Sequence, residues 1–159
     1  MKMYLPFGDW SDDGHGRYEK ILIDAPSMQH LRDAQIKIEE IYGKEFWSGF
    51  AEDFNESVIS DTVQQALLDT GYPYERFCLY MDDNAYDEYE TLEQVFDSDR
   101  WLLDNECTVT LSLVMDAFIW LLNYYGAQIT RLDEGENIPM ICNWTCYGFK
   151  AVGYGCFFF

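Results

Sequence analysis

Histidine is almost missing from this chain: His15 and His30 are the only two in 159 residues. That leaves little material for a histidine-ligated zinc site or for imidazole acid–base catalysis. Cysteine is present but odd in number, at Cys78, Cys107, Cys142, Cys146 and Cys156, without close metal spacing. Reduced thiols in a cytosolic protein are the expectation. On a strand, Cys142 and Cys146 would stand ~13 Å apart, too far for a disulfide. No apolar run approaches the roughly 18 residues of a membrane helix. The longest, Leu111 to Tyr125, is broken by Ser112, Asp116 and Asn123. The run Met1 to Phe7 contains Pro6 and stops at Gly8 and Asp9, short of a signal-peptide core. G-x-S-x-G, P-loop and H-E-x-x-H patterns are all absent, and no cofactor is expected.

Positive charge is the scarcest property. Ten Lys and Arg stand against 29 Asp and Glu, a formal net charge of -19 and a sequence pI near 4.1. The excess is uneven. Residues 1–74 hold 14 acids and 6 bases, net -8, and residues 75–106 hold 11 acids and 2 bases, net -9. Residues 107–159 hold 4 acids and 2 bases, net -2, and are apolar and aromatic. Such a charge opposes compaction by self-repulsion and exceeds what solubility of a small domain requires.

The chain nonetheless has the material for a core. Hydrophobic residues make up 48% and aromatics 18%, whereas chains that stay unfolded combine high charge with low hydrophobicity. The length suits one domain spanning residues 1–159.

The pattern predicts α+β. Lys2–Phe7 and Tyr18–Asp24 read as a hairpin joined by the polar turn 8–16. Ser27 is set to cap a helix that repeats Leu31, Ala34, Ile38 and Ile41 and ends at Gly43. Glu45–Phe54 suggests a short aromatic helix. Asn55 would cap the next, with Val58, Ile59, Val63, Ala66 and Leu67 on one face and a stop at Gly71 and Pro73. Arg76–Met81 reads as a strand. Thr91 with Gln94 forms a capping-box pattern ahead of Leu92, Val95 and Phe96. Thr110–Tyr125 is the strongest helix, apolar nearly all round and therefore buried. Ala127–Leu132, Ile138–Tyr147 and Lys150–Phe159 read as strands. The expected architecture is a mainly antiparallel sheet from both chain ends, with about four helices packed on one face.

Two stretches are candidate sites. The first is the acidic tract, with Asp82, Asp83, Asp87, Glu88, Glu90, Glu93, Asp97 and Asp99 as partner-binding residues. Carboxylates three or four apart on a helix lie roughly 5–6 Å from each other. Duplex DNA carries one phosphate per ~1.7 Å of axis, so several such rows imitate part of it. The plainer reading is a solvated acidic face that keeps the protein soluble. The second is the turn Asp9-Trp10-Ser11-Asp12-Asp13-Gly14. It offers oxygen side chains at positions 1, 3 and 5 and glycine at 6, as an EF-hand calcium loop does. Position 12 is Lys20 rather than the bidentate Glu, so the similarity covers half a loop. Asp9, Ser11 and Asp13 are the candidate metal ligands; the plainer reading is a turn rich in Asp and Gly.

The leading expectation is an acidic cytoplasmic inhibitor that occupies the basic groove of a nucleic-acid-binding protein. It would be a DNA mimic similar in charge and size to antirestriction and anti-CRISPR proteins, binding neither nucleic acid nor membrane itself. The alternatives are an immunity protein against a basic nuclease toxin, and a small enzyme or metal-binding domain using the 8–16 loop. If Asp9, Ser11 and Asp13 form a structural cation site, calcium raises the melting temperature relative to chelator. An unchanged midpoint at about millimolar calcium rejects the site.

Overall fold

The amino-terminal hairpin forms as the alternating pattern predicts. In the computed structural model, which describes residues 1–8, 18–44, 46, 61–80, 90–97 and 111–132, strand β1 (Lys2–Gly8) pairs antiparallel with β2 (Tyr18–Asp24). The register sets Met3 opposite Ile23 and Lys2 opposite Asp24. A short β3 (Thr130–Arg131) adds to the other edge of β2, giving a three-stranded sheet of order β1-β2-β3. Met3 and Ile23 enter the hydrophobic core. Leu22, on the opposite face by strand alternation, is also buried.

Helix α1 (Met28–Tyr42) starts and stops where its caps dictate. Ser27 Oγ accepts from the His30 amide, and the Gly43 amide, at φ +94°, donates to the Glu39 carbonyl. Leu31, Ala34 and Ile38 face the core, but Ile41 is exposed, so the buried stripe ends one turn early. Helix α2 (Asp61–Asp69) buries Val63, Ala66 and Leu67. It closes in a Schellman turn at Gly71, φ +70°: Tyr72 N donates to Leu67 O and Gly71 N to Leu68 O.

Residues expected as the strand Arg76–Met81 instead lie largely in helix α3 (Tyr74–Tyr80). The reason is local. Pro73 suits a helix start, and its carbonyl accepts from the amides of both Arg76 and Phe77. Tyr74, Phe77 and Cys78 then fall at the i, i+3, i+4 spacing of one helical face. Phe77 is fully buried, with Tyr74 and Cys78 packed beside it. A short apolar run carries no periodicity that separates strand from helix.

Helix α4 (Leu92–Asp97) opens on the expected capping box. The Gln94 amide donates to Thr91 Oγ1, and Gln94 Oε1 accepts from the amides of Thr91 and Glu90. Helix α5 (Leu111–Tyr124) packs against α1, α2, α3 and β1, and buries residues all round its axis. It ends in a second Schellman turn at Gly126, φ +104°. The expected strand Ala127–Leu132 shrinks to two residues because Gln128 takes a left-handed φ of 57°. Asn123 adds to this, its side chain donating to Ile129 O and accepting from Ile129 N.

The described residues thus form an α+β arrangement, mostly helical, with five helices and a small antiparallel sheet. The 8–16 turn beyond Gly8, the helix Glu45–Phe54 apart from Phe46, the Asn55 cap and the two carboxy-terminal strands lie outside them. Phe118, 2% exposed at the heart of α5, tests the core. Phe118→Ala should cost about 3–5 kcal/mol in urea unfolding with an unchanged denaturant slope. Tyr124→Ala, at an exposed position of the same helix, should stay within about 0.5 kcal/mol of the parent.

Candidate functional site

Three of the eight acids singled out in the sequence, Glu90, Glu93 and Asp97, lie among the described residues, and all three are exposed. Helix α4 explains this. Leu92, Val95 and Phe96 turn inward, so Glu93 and Asp97, four apart, are left on the outer side. Asp82, Asp83, Asp87, Glu88 and Asp99 lie outside the described residues, as do Asp9, Ser11 and Asp13 of the candidate metal loop. His30 lies in the first turn of α1, its ring Nδ1 2.9 Å from Oγ of the N-cap Ser27. Among the described residues, no group of three or more His, Cys, Asp or Glu is arranged to hold a metal ion, and Cys78 is a free thiol.

The acidic surface extends beyond α4. Asp61 and Asp69 on α2 and Glu75 on α3 are also exposed, and α2 packs against α4. Residues 61–97 contain ten acids and one base, Arg76. By contrast, α1 mixes exposed Arg32 and Lys37 with exposed Asp33 and Glu40.

Arg76 is directed at an acid that sequence reasoning did not assign. Asp116, 1% exposed on α5, accepts from Arg76 Nη2 at 2.6 Å on one oxygen and from Tyr72 Oη at 2.5 Å on the other. The Arg76 guanidinium also stands over the Trp120 ring, 5.4 Å from its centroid. Trp120 meets Tyr72 edge-on at 5.5 Å and donates from its indole nitrogen to Thr70 Oγ1 at 3.0 Å. Thr70 Oγ1 in turn donates to Ala66 O. The signal for this network was in the sequence: a single charge in a helix with no polar face must be buried, and a buried charge must be paired.

A second polar cluster joins α1, α2 and α5. Tyr42 Oη donates to Asp69 Oδ2 at 2.8 Å and lies 3.4 Å from Tyr125 Oη; Gln65 Nε2 donates to Asp69 Oδ1. Burial, then the hydrogen bonds with Tyr125 and Asp69, push the Tyr42 phenol well above its ordinary value. Among the described residues, neither cluster lines a cleft with a nucleophile, and both read as structural. No helix among the described residues is long and apolar enough to cross a membrane. Neither a known protein family, nor a curated protein, nor a solved structure matches the chain.

The Tyr42 cluster generates an alkaline signature. Its folded-state value lies above the unfolded value of about 10, so the neutral phenol is favoured in the fold. That stabilisation is complete below about pH 10 and fades as pH rises above it. Tyr42→Phe should cost up to about 1 kcal/mol at neutral pH and flatten the loss of stability above pH ~10. Urea unfolding at stepped pH measures this; an unchanged alkaline slope in the variant would place the effect on other tyrosines.

Proposed function

We propose that this protein is an acidic inhibitor that occupies the basic nucleic-acid groove of another protein by imitating the charge of DNA. The observation that carries the reading is the concentration of charge: ten acids and one base in residues 61–97, with every described acid of that stretch exposed. Glu93 and Asp97, one helical turn apart, lie roughly 5–6 Å from each other. Asp61 and Asp69 at the two ends of neighbouring α2 add to the same charge. A Lys/Arg groove built for phosphates accepts carboxylates of this density, and long-range attraction speeds the encounter. The same charge repels nucleic acid and anionic lipid, so the partner is a basic protein, met in the cytoplasm. Antirestriction and anti-CRISPR activities are the class this chemistry suits. A basic nuclease toxin presents the same groove chemistry, and the test separates the two.

The test is displacement of duplex DNA from basic proteins, restriction and CRISPR effectors in one arm and nuclease toxins in the other. The parent should compete in one arm, and competition should weaken steeply as salt rises. Neutralising Asp83, Asp87, Glu90, Glu93 and Asp97 to Asn or Gln should leave folding intact and slow association by about tenfold or more. Neutralising Asp33, Glu40, Glu52, Asp53 and Glu56 is the control. An equal loss in that set would show that bulk charge alone matters, and salt-independent competition would sink the electrostatic account.

A further inference from the structure

We infer that the Asp116 carboxylate is a latch that seats α3, and with it the start of the acidic tract, on α5. Helix α3 has seven residues, too few to persist in water unaided. Its apolar anchorage is short: Phe77 is fully buried with Tyr74 and Cys78 partly buried beside it, while Leu79 is 75% exposed. What pins its beginning is polar. Tyr72, one residue before Pro73, and Arg76, in the first turn, donate to the two oxygens of one buried carboxylate. Trp120, one turn along α5 from Asp116, takes the Arg76 guanidinium on its face and meets the Tyr72 ring at a right angle. Its indole reaches back to Thr70, just past the end of α2. Two side chains on α5 therefore hold the whole α2–α3 junction, from Thr70 to Arg76.

Such a junction opens as a unit. Breaking the pair leaves α3 held by Phe77 with the partly buried Tyr74 and Cys78 and lets it open, while α1 and β1 keep their own contacts with α5. The latch is a carboxylate facing a guanidinium on one oxygen and a hydroxyl on the other. Its geometry is specific to that arrangement, because Asn in place of Asp116 retains shape and an acceptor for Tyr72 but loses the charge that holds Arg76.

Amide hydrogen exchange on the full chain reads the latch directly and needs no partner, so its outcome is separate from that of the charge-based function. In Asp116→Asn and in Arg76→Gln, the amides of Phe77 and Cys78 should exchange about ten- to hundredfold faster, beyond any change in the α1 amides. That is the factor set by losing a charge-assisted hydrogen bond. The double variant should be no faster than the faster single, since both remove the same contact. Equal acceleration of α1 and α3 would overturn the latch in favour of a general loss of stability. Unchanged α3 exchange, or a double variant equal to the product of the singles, would overturn it as well. If Asp116→Asn does not fold, Arg76→Gln, which cuts the half-exposed end of the pair, decides alone.

Discussion

Burying a carboxylate in a helix surrounded by leucine, methionine and phenylalanine costs several kcal/mol of lost hydration, recovered only when hydrogen bonds and an opposite charge replace the water. Asp116 meets both conditions through Tyr72 and Arg76. Helix α5 touches four other elements, so the site of that carboxylate fixes how the α2–α3 junction lies on the apolar part of the molecule. Losing a charge-assisted hydrogen bond of this kind typically costs about 1.5–3 kcal/mol, more than a lost helix cap at about 1 kcal/mol. The network therefore ranks above the caps among the polar features that hold the described fold together.

The use of Arg76 also shapes the surface. Residues 61–97 have no other base. Its Nη2 turns inward to a buried acid, while six described acids of the same stretch face solvent. Mutual repulsion among those acids opposes folding. Apolar burial opposes it in turn: Phe77 and Phe96 meet edge-on at 5.7 Å beneath α3 and α4, and Val63, Ala66 and Leu67 line the inner side of α2. The acidic helices are thus held from below by aromatic and aliphatic contacts, and their outer side carries charge that the stretch does not neutralise itself. That separation is what the proposed encounter with a basic groove requires.

Much of this was legible in the residues. Ser27, Gly43, Gly71, Gly126 and the Thr91–Gln94 pair announce helix ends through chemistry that acts within a few positions, and each does so in the fold. The hairpin and the all-round apolar helix follow from periods of two and of no polar face. What escaped is instructive. Arg76–Met81 has an apolar run too short to show a period, and Pro73, which prevents α2 from continuing, also starts α3. The strand after Gly126 is cut to two residues by a side-chain bracket, Asn123 around Ile129, that joins residues six apart. In the sequence Asp116 is only an interruption of a hydrophobic run. Its partners lie 40 and 44 residues away, and no local pattern connects them. The exposed acids of α4 were legible as a charge run and as the polar side of a helix, because burial of Leu92, Val95 and Phe96 settles both.

The lengths of the acidic helices give the devices at their ends a further meaning. Helices α2, α3 and α4 have nine, seven and six residues, and helices that short are marginal in isolation. Each is set by something other than propensity: a Schellman turn closes α2, the Asp116 pair and Pro73 open α3, and the capping box opens α4. Fixing short segments in advance matters for a charged surface, because side chains and backbone that must be ordered on binding subtract from whatever the charges gain. Charge and order are then separable properties of one region. The exposed acids of α4, Glu93 and Asp97, can be removed without touching the capping box or the buried side that orders the helix, and the latch can be broken at a cost of one exposed charge or none. A surface that works through its field alone would tolerate the second change and fail under the first. A surface that must match the spacing of a groove would fail under both.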